Sequence, residues 1–182
     1  MPSLSSELGS TLKDKSGRRV WNPSGFGMIK TSEYKGQVGL YFNGTQGIST
    51  TSNIDLTFDR GNLLLEFRVC PEPTTNTDIQ SIISGATGNN LIYCTLDTVT
   101  NSFDLKMTIC NRAFATGIKL PADEWSLVTM QFVGTNLNVY VNRVLLATYP
   151  SVPMSTTAFD LATMYIGVSS TATRYFSGRI AD

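Results

Sequence analysis

The segment from Ser102 to Cys110 alternates without a break, with Phe103, Leu105, Met107 and Ile109 on one side and Asp104, Lys106 and Thr108 on the other. Successive side chains of an extended chain point to opposite faces, so this pattern fits a strand with one face on a core. The same constraint recurs along the chain. Leu63, Leu65, Phe67 and Val69 alternate with Glu66 and Arg68, with Leu64 as the exception. Val128, Met130 and Phe132 alternate with Thr129 and Gln131, and Leu137, Val139 and Val141 with Asn138, Tyr140 and Asn142. Each reads as a half-buried antiparallel strand.

Shorter candidates are Phe26 to Lys30, Val38 to Phe42, Gln46 to Thr50, Ile79 to Ser84, Leu91 to Leu96, Met164 to Val168 and Tyr175 to Ile180. Turn residues separate them at Asn43-Gly44, Asp59-Arg60-Gly61 and Gly134-Thr135-Asn136, with a longer loop from Pro71 to Asp78. Ser3 to Leu12 and Ala158 to Thr163 have room for a helical turn or two. About ten short, closely spaced strands predict an all-β chain folded as a two-sheet antiparallel sandwich. Its 182 residues suit one domain without an internal linker.

Charge narrows the partners. Lys plus Arg and Asp plus Glu both number 14, so no global field draws the chain onto nucleic acid or an anionic membrane. No run approaches the ~20 apolar residues of a spanning helix. The start, Met1-Pro2-Ser3-Leu4-Ser5-Ser6-Glu7, has no basic flank followed by an apolar run, which leads us to expect no export signal. Cys70, Cys94 and Cys110 are an odd set within apolar segments and read as buried free thiols, in keeping with folding in a cytoplasm. The chain contains no histidine, which removes the commonest general base, the usual serine and cysteine triads and the commonest zinc ligand.

Three ordered segments carry a resemblance. The first is Val38-Gly39-Leu40-Tyr41-Phe42-Asn43-Gly44-Thr45 followed by Gly47-Ile48-Ser49-Thr50, and the second runs from Leu63 to Pro73 and returns through Ile82-Ile83-Ser84-Gly85. The third joins Asp123-Glu124-Trp125-Ser126 and Leu137-Asn138-Val139-Tyr140-Val141-Asn142-Arg143 to Tyr165-Ile166-Gly167 and a Phe176-Ser177-Gly178-Arg179-Ile180-Ala181-Asp182 end. Together they resemble the laminin-G-type branch of the concanavalin A-like lectin and glucanase superfamily. The match covers residues 38–182, with 1–37 as a lead-in, and implies a jelly-roll sandwich.

Two departures from the family pattern shape further expectations. Asn142-Arg143 stands where the family favours Asp-Gly, and an arginine at positive φ is strained, so a longer or different turn is expected there. The match stops at Asp182, where relatives usually continue into another strand. A missing closing strand would leave an open C-terminal sheet edge able to pair with another subunit.

The resemblance also frames the chemistry. Glycosidases of the superfamily carry a Glu-x-Asp-x-x-Glu strand, whereas Glu7, Glu33, Glu66, Glu72 and Glu124 are scattered here, so no catalytic residue is assigned. Calcium at the sandwich rim is a family expectation, yet Asp78, Asp97 and Asp104 are dispersed and no metal ligand or cofactor is assigned. Trp125 opens an inward-patterned strand and reads as a core anchor. Asn43-Gly44-Thr45 is formally a glycosylation sequon but reads as a hairpin turn, and Lys13 to Arg19 reads as a charged, solvated turn.

Sugars are held by amide hydrogen bonds and ring contacts, and Asn89, Asn90, Tyr93, Asn111 and Arg112 are the residues expected to line a glycan-binding rim. Proteins that resemble this chain occur as appendage or decoration domains of bacteriophage virions, assembled in the host cytoplasm. The expected function is therefore a non-catalytic binding or assembly module of a virion, with other subunits and glycans as partners and neither nucleic acid nor membrane insertion. A free-standing surface or secreted lectin is the alternative, and a glycoside hydrolase a remote one.

Overall fold

The structure, a computed structural model, describes residues 12–13, 20–25, 29–50, 62–75, 79–85, 91–152 and 163–181. Among them are fifteen strands: β1 Leu12–Lys13, β2 Val20–Gly25, β3 Lys30–Tyr34, β4 Gln37–Asn43, β5 Gln46–Thr50, β6 Asn62–Pro71, β7 Gln80–Gly85, β8 Leu91–Asp97, β9 Ser102–Ile109, β10 Arg112–Pro121, β11 Ser126–Val133, β12 Asn136–Val141, β13 Val144–Tyr149, β14 Met164–Ile166 and β15 Ser177–Ala181. No helix occurs among the described residues, and the two expected helical turns fall outside them except at Leu12 and Thr163.

The strands form two antiparallel sheets. An eight-stranded sheet runs β1-β2-β5-β14-β7-β8-β9-β10 and a seven-stranded sheet runs β13-β12-β11-β6-β15-β4-β3. The alternation of β9 and β11 becomes a burial alternation, with Phe103, Leu105, Met107, Val128, Met130 and Phe132 nearly inaccessible. Together with Phe42 and Phe176, whose rings meet edge to face at 6.3 Å, they fill the space between the sheets. The result is the expected jelly-roll sandwich. Cys70, Cys94 and Cys110 are buried free thiols, and burial pushes the Cys70 thiol up to about 11.

Three expectations need correction. The C-terminal strand β15 is not at an edge: it pairs with β4 on one side and β6 on the other, so it presents no open edge. The β12–β13 turn is neither long nor unusual. It is a two-residue loop in which Asn142 and Arg143 both take positive φ, 51° and 69°, the signature of a type I′ hairpin. Asn142 tolerates that conformation, and its Oδ1 accepts a hydrogen bond from the Leu127 amide at 2.9 Å. Because a left-handed arginine costs about 1–2 kcal/mol, Arg143→Gly is expected to raise the melting temperature by about 1–4 °C, read by circular dichroism.

Trp125 is the third correction. It lies half-buried outside the core, on the outer face of the seven-stranded sheet, with its indole edge 3.0 Å from where a Cβ on Gly39 would stand. Its Nε1 donates to the Tyr34 carbonyl at 2.8 Å. The inward pattern of β11 starts one residue later, at Ser126.

Strands β10 and β13 lacked clear alternation in the sequence because both contain β-bulges, between Ala115 and Ile118 and at Leu145-Leu146. Thr116 fills the β10 irregularity: its hydroxyl donates to the Leu105 carbonyl and accepts from the Ile118 amide. These two bulged strands are edges. Of the other edges, β1 has two residues and β3 has five, with Lys30 and Glu33 among them. Short, charged and bulged edges all resist pairing with a foreign strand.

Candidate functional site

Register builds the outer face of the eight-stranded sheet. Ile92 and Cys94 point into the core, so Tyr93 between them points outward, and its partners across the ladder are Ser81 of β7 and Lys106 of β9. Tyr165 is outward for the same reason, since its neighbours Met164 and Ile166 pack on the core. It sits between Ser49 and Ser84. The two half-buried tyrosines thus flank β7, offset along it, with Tyr165 level with Ser84 and Tyr93 level with Ser81.

Between them Ser81 and Ser84 are buried, and the Ser81 hydroxyl has no hydrogen-bond partner. At 0% exposure that hydroxyl is out of reach of a ligand on this face, and the accessible polar group beside Tyr93 is Lys106. Sequence reading missed Tyr165 and Lys106. Alternation alone could have shown that Lys106 faces outward, but its place beside Tyr93 depends on register.

The expected rim residues fall as follows. Asn89 and Asn90 lie outside the described residues, in the stretch between Gly85 and Leu91. Leu91 pairs with both Ser84 and Thr108, so the end of β7 and the start of β8 lie at the same end of the sheet as the β9–β10 turn. That turn is Cys110-Asn111, both at positive φ, and Asn111 is exposed on it. Tyr93 lies two residues further down β8.

Arg112 turns elsewhere. Its guanidinium donates to the carbonyls of Pro150 and Ser151 at 3.3 and 3.2 Å and lies 5.1 Å from the Phe114 ring centroid. Phe114 in turn meets Tyr149 at 4.8 Å. Arg112 therefore clamps edge β10 to the end of edge β13 across the side of the sandwich.

Asp97 and Asp104, on the two arms of the β8–β9 hairpin, come together at the other end of this face. Lys119 stands between them, its Nζ 2.8 Å from Asp97 Oδ2 and 2.8 Å from Asp104 Oδ1. A lysine thus fills the position where a cation would bridge these carboxylates. Hydrogen bonds from Lys119 and Thr100 hold the Asp97 carboxyl well below the usual carboxylate range. No group of three or more metal-ligating acids or cysteines occurs among the described residues, and Asp78 lies outside them. Asn43 behaves as a turn residue: its Oδ1 accepts from Thr45 N at 3.0 Å and Thr45 Oγ1 at 2.8 Å, with Gly44 at φ 85°.

A second cluster, on the seven-stranded sheet, centres on Arg179. Its guanidinium carbon lies 4.3 Å from the Tyr34 ring centroid and 5.0 Å from that of Tyr41, and its Nε donates to Ser32 Oγ at 3.2 Å. Its Nη1 pairs with Glu72. Burial and the Glu72 carboxylate together raise the Tyr41 phenol. Lys35 donates to the Asp123 carbonyl at 2.8 Å, linking the β3–β4 turn to the segment before β11. With Ser32 and Glu72 bonded to Arg179 and two rings against its guanidinium, this cluster braces the sheet.

Two stacked antiparallel sheets, with tyrosines and hydroxyls on one outer face and loop ends gathered beside them, define a lectin-like β-sandwich. The chain belongs to the concanavalin A-like lectin/glucanases superfamily, whose laminin-G-type profile matches residues 42–182. No curated protein matches it. Domain 4 of AbnA, a GH43 extracellular arabinanase from Geobacillus stearothermophilus solved in complex with arabinotriose, is similar in fold with a TM-score of 0.70 and 19% identity, over 93% of this chain and 84% of that one. The heptameric SAP-like pentraxin of Limulus polyphemus gives 0.53 and 15%, over 78% and 72%. A Trypanosoma rangeli sialidase mutant with trans-sialidase activity gives 0.61 and 16%, over 94% of this chain but 27% of that one. At such identities the likeness concerns the fold.

Proposed function

We propose that this chain is a non-catalytic glycan-binding module that takes its ligand on the outer face of the eight-stranded sheet, across Tyr93 and Tyr165 toward Asn111. The observation that carries this reading is the pair of outward tyrosines flanking β7, with Lys106 beside Tyr93 and Asn111 exposed on the β9–β10 turn. Sugars need an aromatic surface for their C–H faces and fixed polar groups for their hydroxyls, and this face offers both. A domain of the same fold holding arabinotriose supports the choice of ligand class.

The carboxylates favour binding over hydrolysis. Glycoside cleavage requires an acid whose pKa is raised and a second carboxylate across the scissile bond. Here Asp97 is displaced downward, Asp97 and Asp104 are tied to Lys119, Glu72 to Arg179, and Glu66 accepts from Thr129. The setting we propose for the module, an appendage of a virus particle, rests on the sequence resemblance.

Glycan-array screening followed by titration calorimetry with arabino-oligosaccharides tests the reading. Binding in the micromolar to millimolar range is expected, weakened about tenfold or more by Tyr93→Ala and by Tyr165→Ala, a loss of about 1.4 kcal/mol. An array without hits, or binding indifferent to both substitutions, sinks the proposed site. Release of new reducing ends from a bound polysaccharide sinks the non-catalytic assignment.

A further inference from the structure

The outer face formed by β6, β11, β12 and β13 faces away from the proposed glycan site, and its composition differs from an ordinary solvated face. Leu64, Val133, Leu145 and Leu146 are 63%, 48%, 50% and 50% exposed on these strands. Between them lie uncharged hydrogen-bonding side chains. Register aligns Leu145, Tyr140, Thr129 and Glu66 in one row and Thr148, Asn138, Gln131 and Leu64 in the next.

These polar groups are already ordered by one another. Thr129 Oγ1 donates to Glu66 Oε2 at 2.8 Å, Tyr140 Oη to Gln131 Oε1 at 3.2 Å and Thr148 Oγ1 to Asn138 Oδ1 at 2.9 Å. A face with its side chains fixed in advance loses less entropy when it is covered.

We infer that this face is the contact between two copies of the chain, packed sheet against sheet. Charge decides the occupant. A two-fold contact sets the same patch against itself, so any net charge on it would repel. Arg68 is the charged residue next to Glu66 on this side of β6, giving one charge of each sign, and the intervening β11 and β12 positions are neutral. Acidic or basic partners gain no such match. Association through faces also agrees with the blunted edges, since both β10 and β13 are bulged. The pairing leaves the Tyr93 and Tyr165 faces of both copies outward and would raise avidity for a repeated glycan.

Sedimentation velocity and light scattering from about 1 to 500 μM, the range that brackets weak dimers, test the inference on the full chain. A concentration-dependent dimer is expected, weakened about tenfold or more by Leu145→Arg and by Leu64→Arg. Val99→Arg serves as control, because Val99 is 92% exposed on the β8–β9 turn of the other sheet and should leave association unchanged. Circular dichroism melts establish that each variant is folded. A monomer throughout the range, as expected if a foreign protein or a glycan covers this face, overturns the inference, and so does a dimer that both arginine substitutions leave intact.

Discussion

Gly178→Ala is expected to lower the melting temperature by about 10–15 °C. Gly178 takes φ 134°, a conformation almost confined to glycine, and costs about 1–3 kcal/mol for any other residue. Space is the second term. A Cβ there would stand 2.3 Å from the Cys70 carbonyl oxygen and 3.0 Å from both the Glu72 amide nitrogen and the Phe176 ring. Gly178 pairs with Pro71, so relief would require β15 and β6 to separate in the middle of the seven-stranded sheet. Overpacking of this kind adds about 1–3 kcal/mol. Gly36→Ala separates the two terms, because Gly36 has φ 76° with nothing within 4 Å of its absent Cβ. Thermal melts showing Gly178→Ala no worse than Gly36→Ala would mean that β15 does not lie against β6 as described.

Arg179→Met should cost about 2–3 kcal/mol, read as a fall of roughly 5–10 °C. The substitution keeps an apolar stem but removes the cation lying between Tyr34 and Tyr41 and paired with Glu72. The loss has two sources: cation–π attraction to the rings, and a carboxylate left at 23% exposure without its partner. Each source has its own signature in a double-mutant cycle. Glu72→Gln in the Arg179→Met background should be far less damaging than in the wild type, with a coupling of about 1 kcal/mol or more. Strictly additive losses would show that the ion pair contributes nothing and that only the ring contacts matter. Because Arg179 and the tyrosines join β3, β4, β15 and β6, the destabilised variant should still bind glycan on the opposite sheet when folded.

The fold was largely legible because burial obeys a period of two. In β9 and β11 every apolar residue named from the sequence faces the core, and the free, buried state of Cys70, Cys94 and Cys110 followed from their place in such segments. Strands β1, β2, β3, β10 and β13 were not legible. Bulges break the period in β10 and β13, and β3 is a short edge whose residues are mostly half-exposed. Trp125 was misread because alternation gives the inward positions of a strand but not the direction of the residue just before it.

The candidate site was legible only in part. Tyr93 and Asn111 were named from residue type and turn position, but type cannot tell a rim arginine that meets ligand from one that, like Arg112, holds two edges together. Alternating apolar residues and turn dipeptides determined by themselves that this chain folds as a two-sheet sandwich, because each is a local property that one strand or hairpin can satisfy alone. Only the tertiary structure decided that β15 presents no open edge, that Lys119 lies between Asp97 and Asp104, and that Tyr93 and Tyr165 flank one strand. Those relations depend on strand order and register between residues far apart in the chain, and pairing energies too evenly spread to be read from any one segment set both.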